Sequence, residues 1–493
     1  MSATAEPTGP LLDGHASSGQ IYVDGWVDAP ETVDVFEPAT GEKLGVGGMA
    51  DAATVARACA SAAAAQREWA ATPIFDRIQI VSRVIGLIAA HEEELKTWIV
   101  RESGSVPAKA EVETKASMGQ IQMAASLINQ SFSMEIASIT PGRRSFARRN
   151  PIGVVGCITP WNFPLVLAMR TIAPALVCGN AVVLKSAPDT PISGGVAIAR
   201  LFEEAGLPTG LFQAFCGGAD VGQALTADPN VSMMSFTGST AAGRQVGEVC
   251  GRMLKRVVLE LGGNNALVIL DDADVDAASS SGAWGAFLHQ GQICLAAGRH
   301  IVHESIAEEY IAKLTERAQR LPVGDPHKDE VALGPIINQR QLDRVQKIVD
   351  DTIEAGATAT TGGKADGLFF PPTVLRDVTP SMSAFQNERF GPVAPVTTFK
   401  TDEEALALAN SVDYGLSAAV HSSDPLRAQA FADRMESGMV HINDQTVNEE
   451  PMAPFGGVKG SGNGNHFGAV ANMELWTDWQ WLTSRPHAEP FPF

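Results

Sequence analysis

Residues 231–263 read V-S-M-M-S-F-T-G-S-T-A-A-G-R-Q-V-G-E-V-C-G-R-M-L-K-R-V-V-L-E-L-G-G. The run Val231–Phe236 is short, apolar and closed by a glycine, the pattern of a buried strand. A helical stretch follows to Cys250, and Arg256–Glu260 starts the next strand. Gly238 and Gly243 permit a tight turn, and Ser239 with the free N–H groups of a helix start can meet an anion. The spacing G-x(4)-G differs from the G-x-G-x-x-G of dinucleotide folds. A strand-to-helix turn that takes glycine for steric reasons explains it equally well.

The same alternation extends outward. Strand-like runs occur at Ile152–Ile158, Ala181–Leu184 and Leu211–Cys216, with helical stretches between most of them. One of these helices is expected to start at Thr190-Pro191, an N-cap with proline at the first position, and to stop at Gly206. Strands alternating with helices predict parallel βαβ units, hence an α/β fold. A second alternating block starts at N-A-L-V-I-L from Asn265 and passes residue 440, so two α/β domains are expected.

Three segments lie outside these blocks. Residues 1–18 are small, polar and proline-containing, and are expected to form a flexible N-terminal tail. Ser131–Arg149 reads as a hairpin around Pro141-Gly142. Asn472–Thr483 reads as a late strand with Met473, Leu475, Trp479 and Trp481 on one face, an edge that needs covering.

The chain has 493 residues, 36 Lys+Arg against 56 Asp+Glu, and a net charge of −20. That balance argues against nucleic acid or an anionic membrane as partner. Arg143, Arg144, Arg148 and Arg149 form a local cluster, expected to be a solvated hairpin face. Six cysteines in 493 residues, without C-x-x-C pairs, suit a reducing compartment. The N-terminus M-S-A-T-A-E-P-T-G-P has no basic segment before an apolar core, so a cytoplasmic location is expected. No His, Cys and carboxylate cluster has metal-ligand spacing, so no metal is expected.

Cys294 sits in F-L-H-Q-G-Q-I-C between glycines, whereas the other five cysteines lie in apolar or alanine-rich runs like small buried hydrophobes. Glu260 ends the run R-V-V-L-E, where a buried carboxylate needs a partner or a site; Lys255 or Arg256 could be that partner. Asn162 lies between prolines in T-P-W-N-F-P-L, and capping a turn would account for it. Lys185 ends V-V-L-K, a place for a ligand or for an ordinary surface lysine. His289 reads as a buried polar residue rather than a base.

The motifs in order are T-P-W-N-F-P-L, V-V-L-K, F-T-G-S-T-x-x-G, L-E-L-G-G, G-Q-I-C, E-R-F-G-P-V and P-F-G-G-V-K-x-S-G. Together, from about residue 20 to residue 484, they resemble the NAD(P)-dependent aldehyde dehydrogenase superfamily. F-L-H-Q-G-Q-I-C and G-M-V-H-I-N-D-Q-T-V-N-E-E-P resemble its benzaldehyde- and vanillin-oxidising branch.

The resemblance implies Cys294 as nucleophile, Glu260 as the base for hydrolysis, and the Asn162 amide at the oxyanion. For NAD, with NADP as the alternative, it implies Lys185 at the adenosine ribose, Ser239 at the pyrophosphate with Gly238 and Gly243 in its turn, and Trp161 as a further cofactor-binding residue. Glu388 falls at the nicotinamide ribose and Phe390 near the ring, while Phe163 and Phe455 line the substrate tunnel. Expected products are carboxylic acids formed from a small aromatic aldehyde through a thiohemiacetal and a thioester. The alternatives are an aliphatic or semialdehyde substrate and, from another class, a cofactor-independent cysteine thioesterase.

The implied architecture is a Rossmann-type cofactor domain (19–128 and 150–259), an α/β catalytic domain (260–450) and a small β oligomerisation arm (129–149 and 470–485). A homodimer or homotetramer is expected. Two positions depart from the pattern. Pro188 stands where many relatives place a ribose-binding glutamate, with Asp189 next to it, and Asn465 stands where arginine is frequent.

Overall fold

The computed structural model describes residues 9–493. Five parallel strands run in the order Arg256–Glu260, Val231–Thr237, Val154–Ile158, Ala181–Ser186 and Phe212–Cys216. The antiparallel pair Gln20–Tyr22 and Trp26–Asp28 extends one edge of this sheet. Each central strand is an apolar run buried on both faces, as a parallel sheet between helices requires.

The second sheet has seven strands, with Asn265–Ile269 between Ala297–His303 and Ser417–His421. Val393–Phe399 and Met439–Ile442 continue it in parallel on the two sides. The strands expected from the sequence at 152–158, 181–184, 211–216, 231–236 and 256–260 all form.

The hairpin forms as Ser133–Ile136 against Arg144–Pro151, and Thr477–Ser484 adds a third antiparallel strand. The expected strand over Asn472–Thr483 is only half right. Ala469–Trp476 is a helix, and Met473 and Leu475 are buried on it. Ala, Met, Glu and Leu are good helix formers, so the apparent alternation runs across a helix–strand junction. Only Trp479 and Trp481 lie on the strand, where they are exposed. Part of the arginine cluster packs against their rings rather than simply facing water. Arg149 stacks 3.9 Å above Trp479 and pairs with Glu474, and Arg143 lies 5.9 Å from the Trp481 ring.

The N-terminal expectation also needs correction. Residues 1–8 lie outside the described residues, but Leu11 and Leu12 are buried and their N–H groups donate to the Glu94 carboxylate at 2.7 and 3.1 Å. Two adjacent leucines with satisfied backbones make this part of the core. The helix after Pro191 opens with a π turn, Ile192–Val196, before Ala197–Glu204. Its first N–H groups are capped by the distant carboxylate of Glu102, not by Thr190, whose hydroxyl has no partner. No helix among the described residues is long and apolar enough to cross a membrane.

Candidate active site

The T-P-W-N-F-P-L loop leaves the sheet at Ile158 and turns into the helix Pro164–Val177. Glu113 holds this helix start, its Oε1 accepting from the N–H groups of Leu165 and Val166 at 2.8 and 3.3 Å. Its other oxygen meets Lys109 Nζ at 2.5 Å, and that ammonium lies 4.3 Å from the Phe163 ring. Thus the loop is rigid. Asn162, buried, donates one amide hydrogen to the Gln292 carbonyl at 2.9 Å. That bond ties the loop to the segment two residues before Cys294.

His289 and Gln290 adopt left-handed backbone at φ 48° and 54°, followed by Gly291 at 66°. Non-glycine residues there cost about 1–3 kcal/mol each, a strain the surroundings must hold. Gln290 Nε2 does so by donating to the carbonyls of Gly104 and Pro335 at 2.7 and 2.9 Å. A Cβ on Gly291 would meet the Gly391 carbonyl oxygen at 2.3 Å. The turn presents Cys294, the one cysteine of six that is not buried. Protein still crowds its sulfur. Burial pushes the thiol up to about 12, with Arg170 pulling it down and Glu260 among the charges pushing it further up.

Glu260, at the end of its strand, is 2% exposed, and neither carboxylate oxygen has a partner. The candidate partners lie elsewhere. Lys255 donates to the Thr226 and Asp228 carbonyls, and Arg256 to Asp478 and the Thr477 and Glu474 carbonyls. Burial without donors raises the Glu260 carboxyl well above the usual carboxylate range, Arg170 opposing and Glu449 adding to the rise. Two of the next three residues must be glycine. A Cβ on Gly262 would strike Glu388 Oε2 at 2.4 Å and one on Gly263 the Cys294 carbonyl oxygen at 2.3 Å.

Asn465 supports the same strand. Its amide and that of Asn463 donate to the Val257 carbonyl at 2.9 and 2.8 Å. His289 is buried and unpaired, with its ring edge-on to Phe163 at 5.5 Å. Burial, aided by the Lys109 charge, keeps it neutral.

On the opposite side, Lys185 is 7% exposed, and its ammonium meets only the Ser186 carbonyl at 3.2 Å. A buried cation with spare donors suits a polyhydroxylated ligand. Ser239 caps the helix Thr240–Arg252, its Oγ accepting from Ala242 N at 3.4 Å. Gly238 and Gly243 have packing reasons, since a Cβ would meet Phe236 at 2.7 Å and Leu261 at 2.3 Å. Glu388 accepts from Gly263 N at 3.0 Å, and Trp161 packs edge-on to Phe390 at 5.5 Å. Asp189, beside Pro188, accepts from Asn338 Nδ2 at 2.8 Å. These groups fit a dinucleotide. No metal-binding cluster of His, Cys, Asp or Glu occurs among the described residues.

Sequence reasoning passed over three residues here. Arg344 donates to the Glu388 carbonyl at 3.0 Å. Arg170 and Glu449, 279 positions apart, form an ion pair beside Phe455, whose ring lies 4.0 Å from the guanidinium. One signal for Arg170 was available, a lone charge in the otherwise uncharged helix P-L-V-L-A-M-R-T-I-A-P-A-L-V. A cavity of about 230 Å3 lined by Met439, His441, Glu449, Ala453 and Phe455 opens there.

The chain is 48% identical to vanillin dehydrogenase of Amycolatopsis sp. over 98% of its own length and all of the relative's. It is 46% identical to the NAD(+) benzaldehyde dehydrogenase of Pseudomonas putida, over 96% and 98%. The structure of Staphylococcus aureus betaine aldehyde dehydrogenase in complex with NAD+ matches with a TM-score of 0.94 at 30% identity, covering 98% of each chain. The model of the aldehyde dehydrogenase family matches residues 26–482, and the chain belongs to that family.

Proposed function

We propose that this chain oxidises benzaldehyde- and vanillin-type aldehydes to carboxylic acids through Cys294. The observation that carries the reading is a partly exposed thiol that feels the charge of an unpartnered buried carboxyl, beside a half-used amide tied to the same turn. Burial makes the ionised form of Glu260 a stronger base than an ordinary carboxylate, so once it has released its proton it is suited to deprotonate the thiol and later the hydrolytic water. The remaining Asn162 N–H and the Cys294 backbone N–H hold the oxyanion that forms when sulfur adds to the carbonyl. Losing one such donor costs about 3–4 kcal/mol. NAD, when bound, would supply the acceptor for the hydride that the thiohemiacetal on Cys294 must lose to become a thioester. Water activated by Glu260 then releases the acid and regenerates the thiol.

NAD is the proposed cofactor, named with the P. putida relative. Lys185 would meet the adenosine ribose, and Ser239 with the helix N-terminus the pyrophosphate. Glu388 would hold the nicotinamide ribose, with Arg344 behind it and Phe390 and Trp161 at the ring. Gly238 and Gly243 let the turn and helix pack close enough. Proline at 188 removes a repulsive carboxylate, and Asp189 is already engaged by Asn338, so measurable NADP turnover is expected.

The aromatic preference draws on the two relatives and on the apolar walls Phe163 and Phe455, since a ring buries more area at about 25 cal/mol per Å2 than a two-carbon chain. The arm exposes Met134, Ile136, Ile139, Trp479, Trp481 and Leu482, which supports a homo-oligomer built through it. Six unpaired cysteines fit the cytoplasm. An aldehyde panel run with NAD and NADP tests the reading. Benzaldehyde should exceed acetaldehyde in kcat/KM, and equality of the two would overturn the aromatic assignment.

A further inference from the structure

Arg170 lies behind the cavity wall that Glu449 and Phe455 form. It is 2% exposed, and its guanidinium stacks on Phe455 at 4.0 Å and lies 5.6 Å from Phe467. One nitrogen pairs with Glu449 Oε1, while Nε and Nη1 have no acceptor. It is also the charge that most favours ionisation of both Cys294 and Glu260. Glu449 lies on the cavity wall with its side chain 28% exposed, and Gln120 Nε2 lies 3.4 Å from the oxygen that Arg170 uses. The pair therefore places a desolvated cation, with two spare donors, behind one carboxylate that stands nearer to solvent.

We propose that Glu449 neutralises Arg170 and thereby restricts the chamber to uncharged aldehydes, so that its removal turns the same chamber into a site for aldehydes carrying a carboxylate. An incoming anion meets Glu449 first, and like charges brought together in a desolvated site repel strongly. Without Glu449 the guanidinium is a buried charge without a counterion, which favours any carboxylate that reaches it. This proposal rests on the reading of the chain as a dehydrogenase of small aromatic aldehydes and adds the selection by charge.

The test compares 4-methylbenzaldehyde with 4-formylbenzoate, a pair of matched size and different charge. Wild type should favour the neutral substrate by at least about tenfold in kcat/KM. In Glu449→Gln the anion-to-neutral ratio should rise at least about tenfold, and added salt should reduce that gain. The double variant Arg170→Gln/Glu449→Gln should lose it. An unchanged ratio in a folded Glu449→Gln protein overturns the proposal.

If that variant does not fold, inhibition of wild type decides. 4-Carboxybenzyl alcohol should inhibit at least about tenfold more weakly than 4-methylbenzyl alcohol, and equal inhibition overturns the idea. Should no aromatic aldehyde be oxidised, the aromatic reading fails by itself. Pentanal against 5-oxopentanoate then tests the charge selection independently.

Discussion

Two kinds of buried carboxylate occupy this molecule. Glu102 and Glu113 are each almost fully enclosed and accept hydrogen bonds at both oxygens. The partners are Ile192 and Ser193 for Glu102, and Lys109, Leu165 and Val166 for Glu113. Glu260 is as deeply enclosed and accepts none. The difference shows in their ionisation. Burial raises Glu102 to about 7, with the Ser193 and Ile192 donors pulling it back, whereas Glu260, with Arg170 its only opposing charge, goes well above its ordinary range. Satisfied carboxylates fasten helices; an unsatisfied one is costly to keep and is retained where protons move.

The most severe disruption of the reactive side is Cys294→Ala. No covalent adduct can form, and turnover should drop by about 10^4-fold or more, while Cys216→Ala, at a fully enclosed thiol, leaves chemistry intact. Reduced-cofactor absorbance measures both. Glu260→Gln should lower steady turnover by about 10^2- to 10^4-fold yet still acylate, giving up to about one equivalent of reduced cofactor per site before stalling. Mass spectrometry should find the acyl group on Cys294. Full steady activity in this variant would remove Glu260 as base.

Stability should move in the opposite sense. Glu113→Gln leaves Lys109 charged and enclosed, and breaking such a pair costs about 3–5 kcal/mol, read as a lowered Tm. Glu260→Gln, which relieves an unpartnered carboxyl, should leave Tm unchanged or higher. A larger Tm loss in Glu260→Gln than in Glu113→Gln would erase the contrast.

The smallest expected effect is in pH dependence. Above about 4.5 the unfolded chain loses the Glu260 proton while the folded protein, with its raised value, keeps it. Folded molecules thus bind more protons, and this group makes stability fall as pH rises through that window. Glu260→Gln lacks the slope, so its Tm advantage over wild type should grow from pH 5 towards neutrality. A pH-independent difference would show that Glu260 is ionised in the fold.

Much of this contrast was legible before any coordinates. The strand ending at Glu260 and the glycines that let Gly262 and Gly263 pass Glu388 and Cys294 stand in one contiguous motif. So do Asn162 and Cys294, because each function sits on a turn with its own local pattern. Three features were not legible, for one physical reason. Arg170 with Glu449, Glu113 at the helix start of Leu165, and Glu94 on Leu11 join residues 279, 52 and 83 positions apart, and no local period records such pairings. Helix and strand signals meeting within a few residues misled the reading at 472–483, where Trp476 ends one element and Thr477 begins the next.

The three-stranded arm has a consequence for how the chain is made. Arg144–Pro151 pairs along its whole length with Thr477–Ser484, and Arg148 meets Gln480 across 332 positions. At a synthesis rate of about 5–20 residues per second, the first strand leaves the ribosome about 17–66 s before its partner. During that interval one edge of the hairpin is unpaired, and the pairing has the long loop closure that slows folding. The arm is therefore the last part of the molecule to close, and nascent chains stopped before residue 477 should carry an open, pairing-competent edge.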